Sequence, residues 1–127
     1  MRDIHHFING ASVAGTSGRF GDVYDPNTGE IQARVALASA AEMDAAVQNA
    51  ATAQIGWAAT NPQRRARVMF EFKRLVEREM DSLAALLSAE HGKVIADSKG
   101  DIQRGLEVIE FACGIPHVLK GEFTEGA

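Results

Sequence analysis

The fold of this chain is decided by residues 97–116, which read DSKGDIQRGLEVIEFACGIP. At about 3.6 residues per turn, this stretch predicts a helix with two apolar stripes on roughly opposite sides. The first stripe consists of Ile102, Leu106, Ile109 and Cys113. The second consists of Val108, Phe111 and Ile115. Because a helix that is apolar on two sides has to be covered on both, we predict that this element lies between two layers.

Arg104 is the exception within the second stripe. It lies one turn before Val108, at a position where an apolar side chain would be expected. A charged group in such a place requires a partner, because leaving a charge unpaired in an apolar setting is costly. Arg104 is therefore the residue of this helix for which a partner has to be found.

Length and composition describe one ordinary globular domain. Apolar residues make up 46% and charged residues 24% of the 127 residues, which excludes a disordered or fibrous chain. Thirteen basic and seventeen acidic side chains give a net charge of −4 without a basic run, so nucleic acid is not an expected partner. No apolar run is long enough to span a membrane. The start lacks the apolar segment of a signal peptide and there is a single cysteine, so we expect a cytoplasmic protein.

Residues 1–37 are predicted to form short strands and turns. The residues from Phe7 to Val13 indicate a hairpin, with Asn9-Gly10 at its turn. A strand is expected from Phe20 to Tyr24, followed by a turn at residues 25–29. From Ile31 to Leu37, apolar and polar side chains alternate, which is typical of a half-buried strand.

Residues 39–120 are predicted to form about four helices. The first three each have a candidate capping residue, namely Ser39, Asn61 and Asp81. The third helix is expected to end at Gly92, and the fourth, which contains the stretch quoted above, to extend from Lys93 to Lys120. Residues 121–127 read like the beginning of a further strand.

Two glycines interrupt the fourth predicted helix. Gly100 and Gly105 each cost about 1 kcal/mol relative to alanine inside a helix. We therefore expect another backbone to approach the helix closely at these two positions, because glycine leaves room where any side chain would collide.

No catalytic or metal site is visible from the residues alone. The four histidines lack cysteine or carboxylate partners at ligand spacing. Cys113 belongs to the first apolar stripe, so we interpret it as a small buried hydrophobe, with a nucleophile as the alternative. Gly15, Gly18 and Gly21 are not followed by a strand-to-helix pattern, so we interpret them as loop residues and not as a phosphate-binding loop.

Several short motifs, taken in chain order, resemble the N-terminal part of an aldehyde dehydrogenase. They are Phe7-Ile8-Asn9-Gly10, Asp25-Pro26-Asn27-Thr28-Gly29-Glu30, Ala46-Val47 with Trp57, Arg65, Phe72, and Glu90-His91-Gly92-Lys93. Within that superfamily, residues 101–108 and 113–117 are similar to the CoA-acylating methylmalonate-semialdehyde dehydrogenases. The likeness covers essentially all of residues 1–127. It implies an α/β fold in which this chain is the N-terminal part of the NAD-binding domain, mainly helical with short N-terminal strands.

The resemblance implies an enzyme that is far longer than this chain. In such enzymes a cysteine adds to the aldehyde, hydride leaves to NAD, and the thioester passes to coenzyme A, with loss of carbon dioxide when methylmalonate semialdehyde is used. The thiol nucleophile, the oxyanion-hole amide and the nucleotide loops have no counterpart here, and Cys113 does not match the catalytic position. We therefore assign no catalytic or cofactor-binding residue to this chain and expect it to be inactive alone. At full length the resemblance implies a homo-oligomer, either a dimer or a tetramer.

Arg104 is the one site residue that the resemblance implies. It places Arg104 near the aldehyde funnel, where the guanidinium would pair with the carboxylate of a semialdehyde; pairing with an internal Asp or Glu is the alternative. Two other interpretations of the whole chain remain open. One is a freestanding helical interaction module without catalysis, and the other is a fragment of a different aldehyde dehydrogenase subfamily.

Overall fold

The computed structural model describes residues 1–122, 125 and 126. The chain divides into two units, Met1–Ala59 with Ala89–Gly92, and Thr60–Ser88 with Lys93–Ala127. The first unit contains all the strands among the described residues, and four of the helices lie mainly in the second. The predicted mainly helical chain with short N-terminal strands is thereby confirmed.

The first unit holds two small sheets. Its strands are β1 (Arg2–Ile4), β2 (His6–Ile8), β3 (Ala11–Val13), β4 (Phe20–Tyr24) and β5 (Ile31–Ala36). Strand β5 is central in a three-stranded sheet, where it pairs parallel with β1 and antiparallel with β4. Strands β2 and β3 form a separate antiparallel hairpin. Strands β2 to β5 thus lie where alternation and turn signals predict them, whereas β1 was not predicted.

The turn of the β2–β3 hairpin follows from two residues. Asn9 has a φ of 53° and Gly10 a φ of 74°. A two-residue turn with positive φ at both positions matches the right-handed twist of the flanking strands, and Asn-Gly is the favoured pair for it. This local chemistry sets the register in which His6 faces Val13 and Ile8 faces Ala11.

One ion pair ties the three strands of the larger sheet together. Arg34 on β5 donates from Nε and Nη2 to the two carboxylate oxygens of Asp3 on β1, over 2.7 and 3.0 Å. The same guanidinium lies 4.4 Å from the centre of the Phe20 ring on β4. The hydrogen bonds from Arg34 hold the pKa of Asp3 below its usual range. A cross-strand contact of this type favours one register over its neighbours.

Helix α1 (Ala40–Ala59) begins with the predicted capping box. Ser39 Oγ accepts from the Glu42 N–H over 3.2 Å, and Glu42 Oε2 accepts from the Ser39 N–H over 2.8 Å. The other oxygen of Glu42 accepts from the Thr16 N–H over 2.6 Å. The backbone N–H of Ser39, followed by that of Thr16, lowers the pKa of Glu42 to about 2. Glu42 therefore both caps α1 and holds the loop before β4.

The remaining helices are α2 (Pro62–Arg78), α3 (Met80–His91), α4 (Ile95–Cys113) and α5 (Ile115–Val118). Helix α2 starts as predicted, since Asn61 Oδ1 accepts from the Gln63 N–H over 2.9 Å. Helix α3 starts one residue before the predicted cap, Asp81, which instead pairs with Lys99 over 2.6 Å. Residues 89–92 at the end of α3 belong to the first unit.

The fourth predicted helix is shorter than the expected span from Lys93 to Lys120. Helix α4 stops at Cys113, Gly114 caps it, and the four-residue α5 begins at Ile115. Pro116 explains the break, because proline has no N–H to donate and its ring collides with the preceding turn of a continuing helix. Proline is tolerated within the first turn, which is where α5 places it.

The predicted strand at 121–127 lies partly outside the described residues. Phe123, Thr124 and Ala127 are not described, and the described residues of this stretch form no strand.

Few large side chains are buried within the described residues. Ala33 and Ala36 are buried in the first unit. The buried residues of the second unit are Ala66, Ala84, Ser98, Leu106 and Cys113. Ser98 is satisfied by a hydrogen bond of 2.8 Å between its Oγ and that of Ser88. Because Leu106 is the only large aliphatic side chain among these, each unit leaves much of its apolar surface uncovered.

Candidate functional site

The candidate site lies on helix α4, whose two apolar stripes have different surroundings. Helix α4 packs against α2, and the first stripe faces this contact. Leu106 is only 3% exposed there and Cys113 is also buried, while Ile102 and Ile109 are half-buried. The first stripe is therefore the packed side of the helix.

The second stripe is uncovered among the described residues. Val108 and Phe111 are each 68% exposed, and Ile115 is exposed as well. The expectation that α4 lies between two layers is therefore wrong for this chain by itself. The helix has the pattern of an element covered on both sides, but only one covering layer belongs to the described residues.

The glycines of α4 lie beside this open stripe. A Cβ atom built on Gly100 or Gly105 would meet no neighbouring atom of the described chain within 4 Å. The close backbone approach that we expected at these positions does not occur within the described residues.

We expect the 127-residue chain to self-associate in solution. Side chains such as Val108 and Phe111 are more stable when they are removed from water, and a second copy offers the same surface. Sedimentation velocity at rising concentration is expected to show species larger than the monomer. Changing Val108 and Phe111 together to serine should reduce this association, whereas serine at the exposed polar position Gln103 should leave it unchanged.

A compact monomer with cooperative unfolding at all concentrations would contradict this expectation. It would favour the autonomous helical module that the sequence left open.

Arg104 projects from the open side of α4. Its side chain is 77% exposed, and its Nη1 donates to Asp101 Oδ1 over 3.0 Å. Asp101 lies one turn earlier, so this is an i,i+3 pair on the helix surface. An exposed pair of this kind contributes little to stability. Arg104 was expected to pair either with a substrate carboxylate or with an internal Asp or Glu. In the structure it pairs with the internal carboxylate of Asp101, through Nη1.

Lys93 joins the same carboxylate. Its Nζ donates to Asp101 Oδ2, while Arg104 occupies Oδ1. We name these three residues, Lys93, Asp101 and Arg104, the α4 charge cluster. Neither Asp101 nor Lys93 was assigned a role in a site from the sequence. The i,i+3 spacing of Asp101 and Arg104 was the available signal. The contact of Lys93 depends on the extended backbone of Val94, the N-cap of α4, where φ is −69° and ψ is 151°.

Cys113 does not have the setting of a nucleophile. It is buried at the edge of a groove of about 450 Å³ formed by α2, the end of α4 and α5. The predicted role as a small buried hydrophobe agrees with this position. Within the described part of the chain, no three His, Cys, Asp or Glu side chains lie close enough together to hold a metal ion.

Basic side chains in the second half of α2 are paired with glutamates of the same segment. Arg74 pairs with Glu71 over 2.6 Å, and Lys73 pairs with Glu77 over 2.5 Å. Hydrogen bonding to Glu71 and Glu77 raises the pKa of Arg74 and Lys73, respectively. Cations that are neutralised in this way do not form an anion site.

The glycine-containing loop of the first unit does not have the form of a phosphate-binding loop. The glycine-containing loop between β3 and β4 joins two strands, whereas phosphate loops lead from a strand into a helix. Space at Gly15 is already filled, since a Cβ there would lie 3.1 Å from Ala36 Cβ and 3.2 Å from His6 Nε2. This loop is packed against its own unit and does not offer its N–H groups to a phosphate.

None of the described helices is sufficiently long and apolar to cross a membrane.

Comparison with known proteins places the chain in a family. Residues 13–127 match the aldehyde dehydrogenase family. The malonate-semialdehyde dehydrogenase of Pseudomonas aeruginosa is 41% identical over 124 residues, which cover 98% of this chain and 25% of that protein. The mitochondrial methylmalonate-semialdehyde/malonate-semialdehyde dehydrogenase [acylating] of Mus musculus is 37% identical, covering 91% of this chain and 22% of that protein.

A solved structure shows the same fold. It is described provisionally as a methylmalonate-semialdehyde dehydrogenase of Sinorhizobium meliloti 1021 in complex with NAD. It is 60% identical with a TM-score of 0.95, and the match covers 100% of this chain and 26% of that chain.

This chain belongs to the aldehyde dehydrogenase family. The resemblance drawn from the short motifs, including the likeness to methylmalonate-semialdehyde dehydrogenases, is thereby confirmed, as is the α/β fold class. The chain spans about a quarter of the length of the relatives that it matches. Members of this family are oxidoreductases that act on small-molecule aldehydes.

Proposed function

We propose that this chain is the N-terminal part of an NAD-dependent, CoA-acylating methylmalonate/malonate-semialdehyde dehydrogenase. The complete enzyme would oxidise a semialdehyde to an acyl-CoA in the cytoplasm, as a homo-oligomer. The relatives named for these semialdehydes support the substrate class, and the word acylating in the name of the mouse relative supports coenzyme A as the acyl acceptor. The NAD complex of the Sinorhizobium protein supports NAD as the oxidant.

Within this enzyme, Arg104 would bind the carboxylate of the semialdehyde. The observation that carries this assignment is the position of Arg104, which is 77% exposed beside the open apolar stripe and donates to Asp101 through Nη1. A guanidinium presents five N–H donors in a planar fork that matches a carboxylate. The apolar neighbour Val108 would exclude water and so strengthen such a pair once the stripe is covered.

We assign neither a nucleophile nor a cofactor site to the described residues. The contribution of this chain would therefore be to form part of the cofactor domain and to recognise the substrate carboxylate. Nucleophilic attack and hydride transfer would depend on residues that are not part of this chain.

The proposal is tested by comparing the isolated chain with a chimera. In the chimera, residues 1–127 replace the matching quarter of the Sinorhizobium protein. The isolated chain is expected to show no dehydrogenase activity and no measurable NAD binding by calorimetry, because it has no nucleophile and no phosphate-binding loop. The chimera is expected to reduce NAD and form acyl-CoA from methylmalonate or malonate semialdehyde.

Two results would contradict the proposal. Tight NAD binding by residues 1–127 alone would show that the cofactor site has been misplaced. A folded chimera that oxidises propionaldehyde while ignoring both semialdehydes would show that the substrate class is wrong.

A further inference from the structure

We infer that Asp101 is a positioning residue for Arg104, and that Lys93 keeps Asp101 from capturing the whole guanidinium. This inference rests on the proposed function, because it assigns Arg104 to the substrate carboxylate. It adds two residues, both outside the predicted site, that determine how well Arg104 can act there.

The two oxygens of the Asp101 carboxylate have different partners. Oδ1 accepts from Arg104 Nη1 over 3.0 Å, and Oδ2 accepts from Lys93 Nζ. An isolated Asp and Arg tend to form two parallel hydrogen bonds, which would use the binding edge of the fork. With Lys93 on the second oxygen, Asp101 holds Arg104 through Nη1.

The contact with Asp101 also restricts the rotamers of the Arg104 side chain. An exposed arginine side chain samples many rotamers, and fixing it when a ligand binds costs entropy. The bond to Asp101 removes part of this freedom beforehand, because the carboxylate lies on the same helix one turn away. Asp101 is 40% exposed and Lys93 21%, so the supporting pair is better shielded from water than Arg104 itself.

The charges of the α4 charge cluster also suit an anionic substrate. The α4 charge cluster contains two cations and one anion, and Arg104 is its most exposed member. A semialdehyde of the proposed class carries one carboxylate. The cluster is therefore complementary to the substrate in charge, and Asp101 alone with Arg104 would not be.

The experiment uses the full-length dehydrogenase that carries this segment and compares malonate semialdehyde with propionaldehyde, which has no carboxylate. Asp101→Ala is expected to raise KM for malonate semialdehyde about tenfold, equivalent to about 1.4 kcal/mol, with kcat unchanged. Propionaldehyde kinetics should stay as they are. Asp101→Asn, which keeps an acceptor oxygen for Arg104 Nη1, should restore most of the lost affinity.

Asp97→Ala is the matched control. It removes a carboxylate one turn earlier on the same helix. It should leave KM and kcat unchanged for both aldehydes. In an Arg104→Leu background, Asp101→Ala should cause no further change in the ratio of the two kcat/KM values, because the residue that it positions is gone.

The inference is overturned if Asp101→Ala lowers KM for malonate semialdehyde, because Asp101 would then compete with the substrate for Arg104. It is also overturned if KM does not change, because Asp101 would then contribute nothing to substrate binding. An equal change for both aldehydes would also overturn it, because Asp101 would be structural. These outcomes are separate from failure of the proposed function, which would appear in the same series as an Arg104→Leu enzyme that keeps its preference for the carboxylated aldehyde.

Discussion

Replacing Arg104 with leucine is expected to reduce kcat/KM for malonate or methylmalonate semialdehyde by an amount equivalent to about 2 to 5 kcal/mol in the full-length enzyme. The physical reason is that the charge of the substrate would be left without a partner in a site from which water is excluded. Propionaldehyde has no carboxylate and should be turned over almost as before. The measurement is steady-state kinetics with both aldehydes on the same enzyme preparation.

Gln103→Leu is the control for this substitution. It adds the same apolar side chain to an exposed position of α4 without removing a cation. It should leave the ratio between the two aldehydes unchanged. Equal loss of activity toward both aldehydes in the Arg104→Leu enzyme, or loss of folded protein, would show that Arg104 is structural and that its assignment to the substrate is wrong.

Replacing Leu106 with alanine is expected to lower the free energy of unfolding of the 127-residue chain by about 2 to 5 kcal/mol. Leu106 is 3% exposed and is the only large aliphatic side chain among the buried residues of the described chain. Its truncation removes apolar burial and leaves a cavity beside α2. The measurement is urea unfolding followed by circular dichroism, at a concentration where self-association does not affect the midpoint.

Val108→Ala is the matched substitution, two positions further along the same helix. Because Val108 is 68% exposed, its truncation should cost less than about 0.5 kcal/mol in this chain. A comparable loss at both positions would mean that the second stripe is covered in solution. In the full-length enzyme, the cost at Val108 is expected to rise, since the pattern of α4 is that of a helix covered on both sides.

Local interactions explain why much of this fold follows from the sequence. The Asn9-Gly10 turn, the Ser39–Glu42 capping box and the Asn61 cap each depend on atoms within a few residues, so their chemistry acts wherever the chain is placed. The end of α4 is also determined by a local interaction. The break at Pro116 follows from the missing N–H of proline, and the prediction of a single helix gave the apolar periodicity too much weight.

The candidate site could be identified only in part from the sequence. The position of Arg104 in an apolar stripe marked it from the sequence, and the short motifs placed the chain in its family. Which stripe of α4 is covered was decided by tertiary structure, because both stripes satisfy the same periodicity and only the packing of α2 distinguishes Leu106 from Val108. The partners of Asp101 were decided in the same way. Arg104 is within reach on the same helix, whereas Lys93 precedes that helix and reaches Asp101 across the extended backbone of Val94, the N-cap of α4. Side-chain spacing predicts contacts along one helix, and contacts between segments depend on how the chain turns between them.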